Sequence, residues 1–567
     1  MKIINDIVKF IFYYSTNLEK KKFLVIFFLN IINTIIQFVF VIYLYNIIQF
    51  LIGVKTESNK FIKFEPYNLK NLSIHELSLY TAIILIICTF IQIFYYYFSY
   101  KWVTNFVSNI EKKIYQNSLN INYSFFKSTK SYDYIKNIID HVPRLTLSTI
   151  YPLFTITSNL TMIFIFLFFL LKVNFFFTMF SVLILFAIFV ITFLLIKKKL
   201  FNISQNENFF LGQRIRYINY LLIFFREIKI FELKSYFKLK FNTYTEGYFN
   251  SRFLSYFFSN FPKNIFEFFI FFILLFFISI NSNDKTYYTP LLILYTLAAY
   301  KLVPSFVSLL SSISTIKANY NFFLIIKKDL EHFDKTTSKN YVIKEDSYNN
   351  VSIDSLSIKN LNFSYSKPII RNFNIEIKKG DTIFLYGESG TGKSTLLDII
   401  CGLIQPNIGD IYINNSHKIT EYNSNILLKK ISYVSQFPDV LEQSIYQNIT
   451  LNFDGINKKD EKFDKIVSMV SVDEILKSKN ITCDTVLEEK GCNLSGGEKQ
   501  RINIARSLYK DFDLLIMDEA TNSLDLETEK KILKNIINFA KNKILIFSSH
   551  NIELKKYFNK SIFLEKL

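Results

Sequence analysis

The sequence predicts an all-α, membrane-spanning N-terminal half joined to an α/β C-terminal half, and three observations predict it. Long apolar runs crowd the first 315 residues or so, whereas residues beyond about 355 read as ordinary mixed α/β sequence. The chain of 567 residues is too long for one ordinary domain. Half of it is hydrophobic and its mean hydropathy is +0.22, high for a chain without membrane segments.

A spanning helix needs ~20 mostly apolar residues. Six stretches qualify, at about 23–52, 78–100, 150–171, 174–196, 264–281 and 287–312. The first follows a basic tail (Lys2, Lys9, Lys20, Lys21, Lys22) and is far longer than a signal-peptide core, so it is expected to be retained. Only Lys172 and its neighbours separate the third from the fourth, which predicts a tight helical hairpin. A short polar turn, Asn281 to Thr286, joins the fifth to the sixth. The domains are therefore expected at 1–315 (transmembrane), 316–355 (a polar linker) and 356–567 (α/β).

The net charge of +19 is not a nucleic-acid footprint, because no nucleic-acid motif accompanies it. Lys and Arg instead flank the apolar runs: the N-terminal tail, the 101–149 segment (Lys101, Lys112, Lys113, Lys127, Lys130, Lys136, Arg144) and the 197–263 segment are all basic. The positive-inside rule then places both termini and two long segments in the cytoplasm and the 53–77 loop outside. Long internal extensions, including Phe125-Phe126-Lys127 and Arg226-Glu227-Ile228-Lys229, suit contact with a soluble partner domain. The four cysteines, Cys88, Cys401, Cys483 and Cys492, lack CxxC spacing, which argues against a metal or disulfide framework.

In the second half, the apolar strand Ile383-Phe384-Leu385-Tyr386 runs into Gly387-Glu388-Ser389-Gly390-Thr391-Gly392-Lys393-Ser394-Thr395 and then an apolar helix. This is GxxxxGK[ST] in strand–loop–helix context. Backbone N–H groups of such a loop wrap phosphates, Lys393 neutralises the β/γ-phosphates of ATP and the Ser394 hydroxyl coordinates Mg²⁺. A second buried strand, Leu514 to Met517, ends in Asp518 and Glu519. Asp518 fits a Mg²⁺ carboxylate and Glu519 the group that polarises the attacking water.

Leu494-Ser495-Gly496-Gly497-Glu498, just ahead of that strand, resembles the signature of ATP-binding cassette (ABC) proteins. In this resemblance Tyr365 is the aromatic that stacks on adenine, and Gln436 is the loop glutamine that senses Mg²⁺. Asp525 closes the Ser523-Leu524-Asp525 loop, His550 is the switch histidine, and Thr485 to Gly491 marks exporter-type members. Departures are small: Glu498 replaces the commoner Gln, and Asn522-Ser523 a more usual Ser-Ala pair. The six-span half is similar to the type I/type IV exporter architecture. The resemblance implies an ATP hydrolase coupled to transport by alternating access in the bacterial inner (cytoplasmic) membrane. It also implies a dimer, with a second copy or a closely related half-transporter, in which the signature of one subunit (Ser495, Gly496, Gly497, Glu498) completes the partner's site.

For the cargo, Leu119-Asn120-Ile121-Asn122-Tyr123 with Phe126, Ala299 to Ser305, and Gly387-Glu388-Ser389-Gly390 resemble flippases of lipid-linked oligosaccharides. The basic tail leaves no room for a peptidase domain ahead of the first stretch, an expectation against leader-cleaving exporters. Lys301 within the sixth stretch and Lys263 at the start of the fifth are charges where charge is costly. Lys301 either meets an anionic cargo in a cavity or snorkels or pairs with Glu267. Peptides, toxins and other lipids remain alternative cargoes. A soluble ATPase is excluded by the six stretches, and a gated channel would be expected to lose Glu519 or His550.

Overall fold

The computed structural model describes residues 2–52, 74–119, 123, 127, 137–280, 285–337, 352–365, 367–419, 428–453 and 460–565. Most of the 53–77 loop, the residues 281–284 and the pair Phe125-Phe126 lie outside them. The chain divides into two compact units: Met1–Ile121 with Thr129–Thr337, and Asn122–Ser128 with Ser338–Leu567.

The first unit is all helical: α1 Lys2–Tyr14, α2 Asn17–Ile52, α3 Ile74–Leu119, α4 Asn137–Val173, α5 Phe175–Ile223, α6 Phe225–Ile230, α7 Lys234–Ile280 and α8 Lys285–Thr337. Among the described residues, Asn17–Ile48, Ile74–Leu119, Asn137–Val173 and Ile293–Glu331 are long and apolar enough to cross a membrane. They hold the first, second, third and sixth predicted stretches. The fourth and fifth lie in α5 and α7, several of whose side chains fall outside the described residues. The 46 residues of α3 span about 70 Å at ~1.5 Å per residue, more than twice the ~30 Å hydrocarbon thickness, so much of such a helix must lie outside hydrocarbon.

Two sequence expectations change. The helix of the sixth stretch runs on to Thr337, so residues 316–337 are helical and not linker. Ile316, Phe322, Phe323, Ile326 and Leu330 are buried there and hold the helix together past its apolar stretch. Lys285 and Thr286, expected in the turn after α7, already belong to α8. The hairpin between α4 and α5 forms as expected: Asn174 breaks the helix with extended backbone (φ −147°, ψ 104°), and its side chain caps α5 by accepting from Phe177 N–H at 3.1 Å.

Apolar surface alone does not hold helices together in lipid, so side-chain hydrogen bonds carry weight. Asn159 Nδ2 donates to Ser308 Oγ at 2.9 Å, Thr155 and Ser312 hydroxyls lie 2.6 Å apart, and Thr178 and Tyr295 hydroxyls 2.9 Å apart. Beyond the apolar stretches, Arg144 joins α4 to α5 through Glu207 at 2.8 Å and to α7 through Tyr248 at 3.2 Å.

The second unit carries strands β1 Ser355–Ser364, β2 Pro368–Lys378, β3 Thr382–Tyr386, β4 Ile408–Ile413, β5 His417–Lys418, β6 Ile431–Val434, β7 Leu514–Asp518, β8 Ile544–Ser548 and β9 Lys560–Phe563. Its helices are α9 Lys393–Ile400, α10 Ile445–Thr450, α11 Glu461–Met469, α12 Val472–Lys479, α13 Gly496–Tyr509 and α14 Leu526–Phe539. The parallel sheet has the order β6-β7-β8-β3-β9, and an antiparallel sheet has the order β2-β1-β4-β5.

Alternation sorts the parallel strands onto two cores, as the two-residue period of a strand requires. Leu515, Met517, Leu545, Phe547 and Phe384 face the core shared with α13 and α14. Leu514, Ile516, Ile544, Ile546, Ile383 and Leu385 face the core shared with α9 and the antiparallel sheet. Burial on both faces explains the unbroken apolar runs of these strands in the sequence.

Candidate nucleotide site

In an open parallel sheet the crevice beyond the carboxyl ends of the strands is where ligands bind. Here β8 lies between β7 and β3, pairing Asp518 with Ser548 and Leu385 with Ser548. The loop after β3, the residues after β7 and the residues after β8 therefore converge. These three segments carry Gly387–Thr395, Glu519 and His550.

The loop from Gly387 folds back on its own lysine. Lys393 Nζ donates to the Gly387 and Glu388 carbonyls at 2.9 and 3.1 Å. Gly392 has φ +92°, and a Cβ there would sit 2.4 Å from Ile369 Cγ2, so the turn into α9 requires glycine. Lys393 is buried, which pulls its ammonium below the usual lysine range, while the Glu519 and Asp518 carboxylates act the other way. A buried cation hydrogen-bonded to its own loop is set up for phosphate oxygens. Ser394 is exposed at the first turn of α9, Thr395 is half-buried, and Ser389 and Gly390 are exposed. Thr391 Oγ1 closes the loop by donating to the Glu388 carbonyl at 3.0 Å.

Glu519 is the hub. Its backbone leaves β7 in the left-handed region (φ 48°), uncommon for a residue with a Cβ, and its N–H donates to the Ser548 carbonyl at 3.1 Å. Gln436 Nε2 donates to Glu519 Oε2 at 2.7 Å, and Asn522 Nδ2 to the same oxygen at 3.0 Å. His550 Nε2 lies 2.8 Å from Oε1 and Lys393 Nζ 3.9 Å from it. Asp518 is held separately: Ser548 Oγ donates to Oδ1 at 2.7 Å and Tyr433 OH to Oδ2 at 3.1 Å. Burial and the Asp518 carboxylate push the Tyr433 phenol well above its usual range, so it stays a donor.

Thus Lys393, Gln436, Asp518, Glu519 and His550, singled out in sequence, come together. Asn522, Ser548 and Tyr433 join them unforeseen. Asn522 was visible only as a departure from the usual residue pair, and Ser548 and Tyr433 sit in strands whose composition gave no sign of a role. No cluster of three His, Cys, Asp or Glu side chains is present among the described residues. Mg²⁺ takes one or two carboxylates with phosphate oxygens and water, and the Asp518 carboxylate, the Ser394 hydroxyl and the Gln436 amide are oxygen donors of that kind.

The other sequence candidates form no hydrogen bond or ion pair with Glu519 among the described residues. Ser495 caps α13 by accepting from Glu498 N–H at 3.3 Å, while Glu498 Oε2 accepts from Ser495 N–H at 2.6 Å, a reciprocal capping box. Burial works to raise the Glu498 carboxyl, but the Ser495 N–H and the Lys479 ammonium at 3.4 Å outweigh it and hold it below the usual range. Gly497 presses on the neighbouring loop: a Cβ there would lie 2.9 Å from the Ser523 carbonyl oxygen. Among the described residues no hydrogen bond or ion pair links Ser495, Gly496, Gly497 or Glu498 to Gly387–Thr395. Asp525 caps α14 through Thr528 N–H at 2.9 Å. Tyr365 is 55% exposed, its ring edge-on to Phe363 at 4.9 Å.

The segment Asn122–Ser128 groups with this second unit, and within it Lys127 Nζ stands 3.6 Å from Asp398 Oδ2 on α9. Burial raises the Asp398 carboxyl and Lys127 opposes it. Arg226–Lys229 lies in the first unit, within the short helix α6, with Ile228 buried.

A membrane-type helical unit and a phosphate-loop α/β unit in one chain define a transport ATPase architecture, and the comparisons agree. Residues 370–522 match the family model of the ABC transporter, and residues 23–300 that of the ABC transporter transmembrane region. The chain belongs to the ABC transporter family. It is 31% identical over 260 residues to the ATP-dependent lipid A-core flippase of Wigglesworthia glossinidia brevipalpis, covering 45% of this chain and 44% of the relative. It is 34% identical over 213 residues to the alpha-hemolysin translocation ATP-binding protein HlyB of Escherichia coli O157:H7, covering 37% of this chain and 30% of the relative. The chain thus matches under half the length of these curated relatives. A bacterial Atm1-family ABC exporter solved with ATP bound shares the fold over 97% of this chain and 95% of its own, with a TM-score of 0.79 at 17% identity.

Proposed function

We propose that this chain is an ATP-driven exporter that works as a dimer in the bacterial inner membrane, with six spans, cytoplasmic termini and a cytoplasmic nucleotide half. The observation that carries the reading is the hub of Lys393, Gln436, Glu519 and His550, which follow the carboxyl ends of β3, β6, β7 and β8, in a chain whose other half is long apolar helices.

The chemistry follows from that hub. Glu519 is held by four nitrogen groups, two of which, Lys393 and His550, are phosphate ligands by type. When ATP enters, its phosphates draw Lys393 and His550 away. Glu519 is left with Gln436 and Asn522 as orienting donors and a free oxygen to accept the proton of the attacking water. Mg²⁺, held by Ser394, Asp518 and Gln436, would neutralise charge on the leaving phosphates. Tyr365 stacks on adenine. Among the described residues Ser495–Glu498 make no hydrogen bond or ion pair with the phosphate loop of their own chain, which supports completion of each site by the signature of a second copy or a closely related half-transporter, with Asp525 at that junction. Lys127 on Asp398 ties a segment between two long helices to the helix that carries Lys393 and Ser394, which suits transmission of nucleotide binding to the membrane half.

The cargo is an amphipathic molecule, for which we propose a lipid-linked oligosaccharide. Lys301 supports it: its Nζ donates to Gln37 Oε1 at 3.4 Å and, among the described residues, forms no ion pair with Glu267. Its charge thus remains open to an anionic group. The side chain of Lys263 lies outside the described residues. The test is ATP hydrolysis by the full chain in nanodiscs with and without a lipid-linked oligosaccharide. Stimulation supports this cargo; an indifferent rate keeps the exporter and turns the search to peptides, toxins or other lipids.

A further inference from the structure

Between the first turns of α2 and the last turns of α3 lies a cavity of about 670 Å³ that none of the proposed transport steps uses. Its walls are two matching stripes. Along α2 the lining residues run Leu18, Lys22, Val25, Leu29, and along α3 they run Lys112, Ser108, Asn105, Lys101, Phe98. Both sets step by three or four residues, so each is one helix face. Because α3 returns antiparallel to α2, the two stripes turn apolar in the same direction, past Lys22 on one and Lys101 on the other. Lys22 and Lys101 sit at the border, with Val25, Leu29 and Phe98 beyond them.

Among the described residues the cavity's cations form no ion pair. The cavity's one carboxylate, Glu19, already accepts from Thr16 N–H and Asn109 Nδ2, each at 2.8 Å. Trp102 Nε1 donates to the Glu19 carbonyl at 2.9 Å, which pins the two helices together beside the cavity. Among the described residues Lys101 Nζ meets the Tyr97 hydroxyl, at 3.1 Å, and its ring, and no carboxylate. Among the described residues neither Lys22 nor Lys112 has an acidic partner. The apolar stretches of α2 and α3 begin and end here, so the cavity straddles the expected edge of the hydrocarbon.

We propose that this cavity holds a resident anionic glycerophospholipid of the surrounding leaflet, its phosphate beside Lys22 and Lys101, with Lys112 adding positive charge about 16 Å further along α3, and its acyl chain along Val25, Leu29 and Phe98. Three lysines against one engaged carboxylate select a negative headgroup, and the apolar end of the same cavity takes a chain that a free phosphate lacks. The site rests on the membrane reading above but not on the cargo or on ATP turnover.

Trp102 is the chain's single tryptophan and lines the cavity, so it reports occupancy directly. The full chain in phosphatidylcholine nanodiscs is doped with phosphatidylglycerol or phosphatidylcholine brominated near the head of the acyl chain, and Trp102 quenching is titrated. Phosphatidylglycerol is expected to quench at several-fold lower mole fraction, and Lys22→Ala with Lys112→Ala to weaken it roughly fivefold per lysine. Lys22→Arg with Lys112→Arg should keep the preference, which separates charge from misfolding. Lys20→Ala with Lys21→Ala, next to the cavity but not lining it, should leave it unchanged. Equal quenching by the two lipids, or equal loss in the Lys20/Lys21 pair, overturns the proposal. So does relief of quenching by a lipid-linked oligosaccharide, which would make the cavity a cargo site. None of these outcomes bears on whether the nucleotide half hydrolyses ATP.

Discussion

The two units are written in different codes. In the nucleotide unit, position matters residue by residue: Lys393, Gln436, Asn522 and His550 all converge on one carboxylate within 4 Å. In the helical unit, long stretches need only be apolar, and large side chains such as Phe164, Phe176 and Leu195 stand exposed where lipid would cover them. The difference teaches where substitutions should hurt. A buried, charged, hydrogen-bonded site tolerates little, whereas a lipid-facing helix surface accepts any side chain of similar hydrophobicity.

The contrast can be broken at several points. Glu519→Gln removes the group placed to accept the water proton and should lower ATP hydrolysis by ~10²–10⁴-fold with ATP still bound. Lys393→Ala removes a buried cation and should weaken ATP binding by ~10–100-fold, the worth of hydrogen bonds to charged groups, measured by equilibrium titration. Asn522→Ala deletes one donor to Glu519 and should slow hydrolysis by up to ~10-fold without changing ATP affinity; a fall in affinity instead would assign Asn522 to the phosphates. On the other side of the comparison, Phe164→Leu on an exposed face of α4 should leave stability within about 0.5 kcal/mol. A larger loss in thermal unfolding would show that this face is packed by protein.

The smallest effect concerns pH. The Glu498 carboxyl is held below its usual range by Ser495 N–H and Lys479, against the effect of burial. A depressed acid contributes stability above its unfolded pKa, and that contribution is lost as pH falls through the folded value. The cap of α13 should therefore weaken on acidification. Because the side chain is only partly buried and its partners lie at the surface, Glu498→Gln should change stability by less than about 1 kcal/mol while keeping the capping box.

The motifs made the nucleotide unit legible because each has a fixed strand or helix beside it. Gly387–Thr395 needs β3 before it and α9 after it, and both stand where the apolar pattern put them. Asp518 ends β7 as expected, but the left-handed turn that aims Glu519 back at Gln436 cannot be read from a glutamate. Ser548 and Tyr433 escaped notice because a single polar residue in a buried strand carries no pattern until its partner across the sheet is known. In the helical unit the apolar stretches were legible, whereas their ends were not. Residues 316–337 are polar enough to read as linker, yet they stay helical because Phe322, Phe323, Ile326 and Leu330 recur at helical spacing and are buried. The cavity beside Trp102 was equally hidden, since Lys22 and Lys112 are ninety residues apart and line it together only because α2 and α3 pack antiparallel.

The central claim is that Glu519 turns bound ATP over in this chain. The most direct measurement follows nucleotide occupancy and phosphate release together, on the wild-type and Glu519→Gln proteins in nanodiscs. The account predicts equal occupancy, with phosphate release confined to the wild type. Release at comparable rates from both proteins would contradict it and move the proton acceptor away from Glu519.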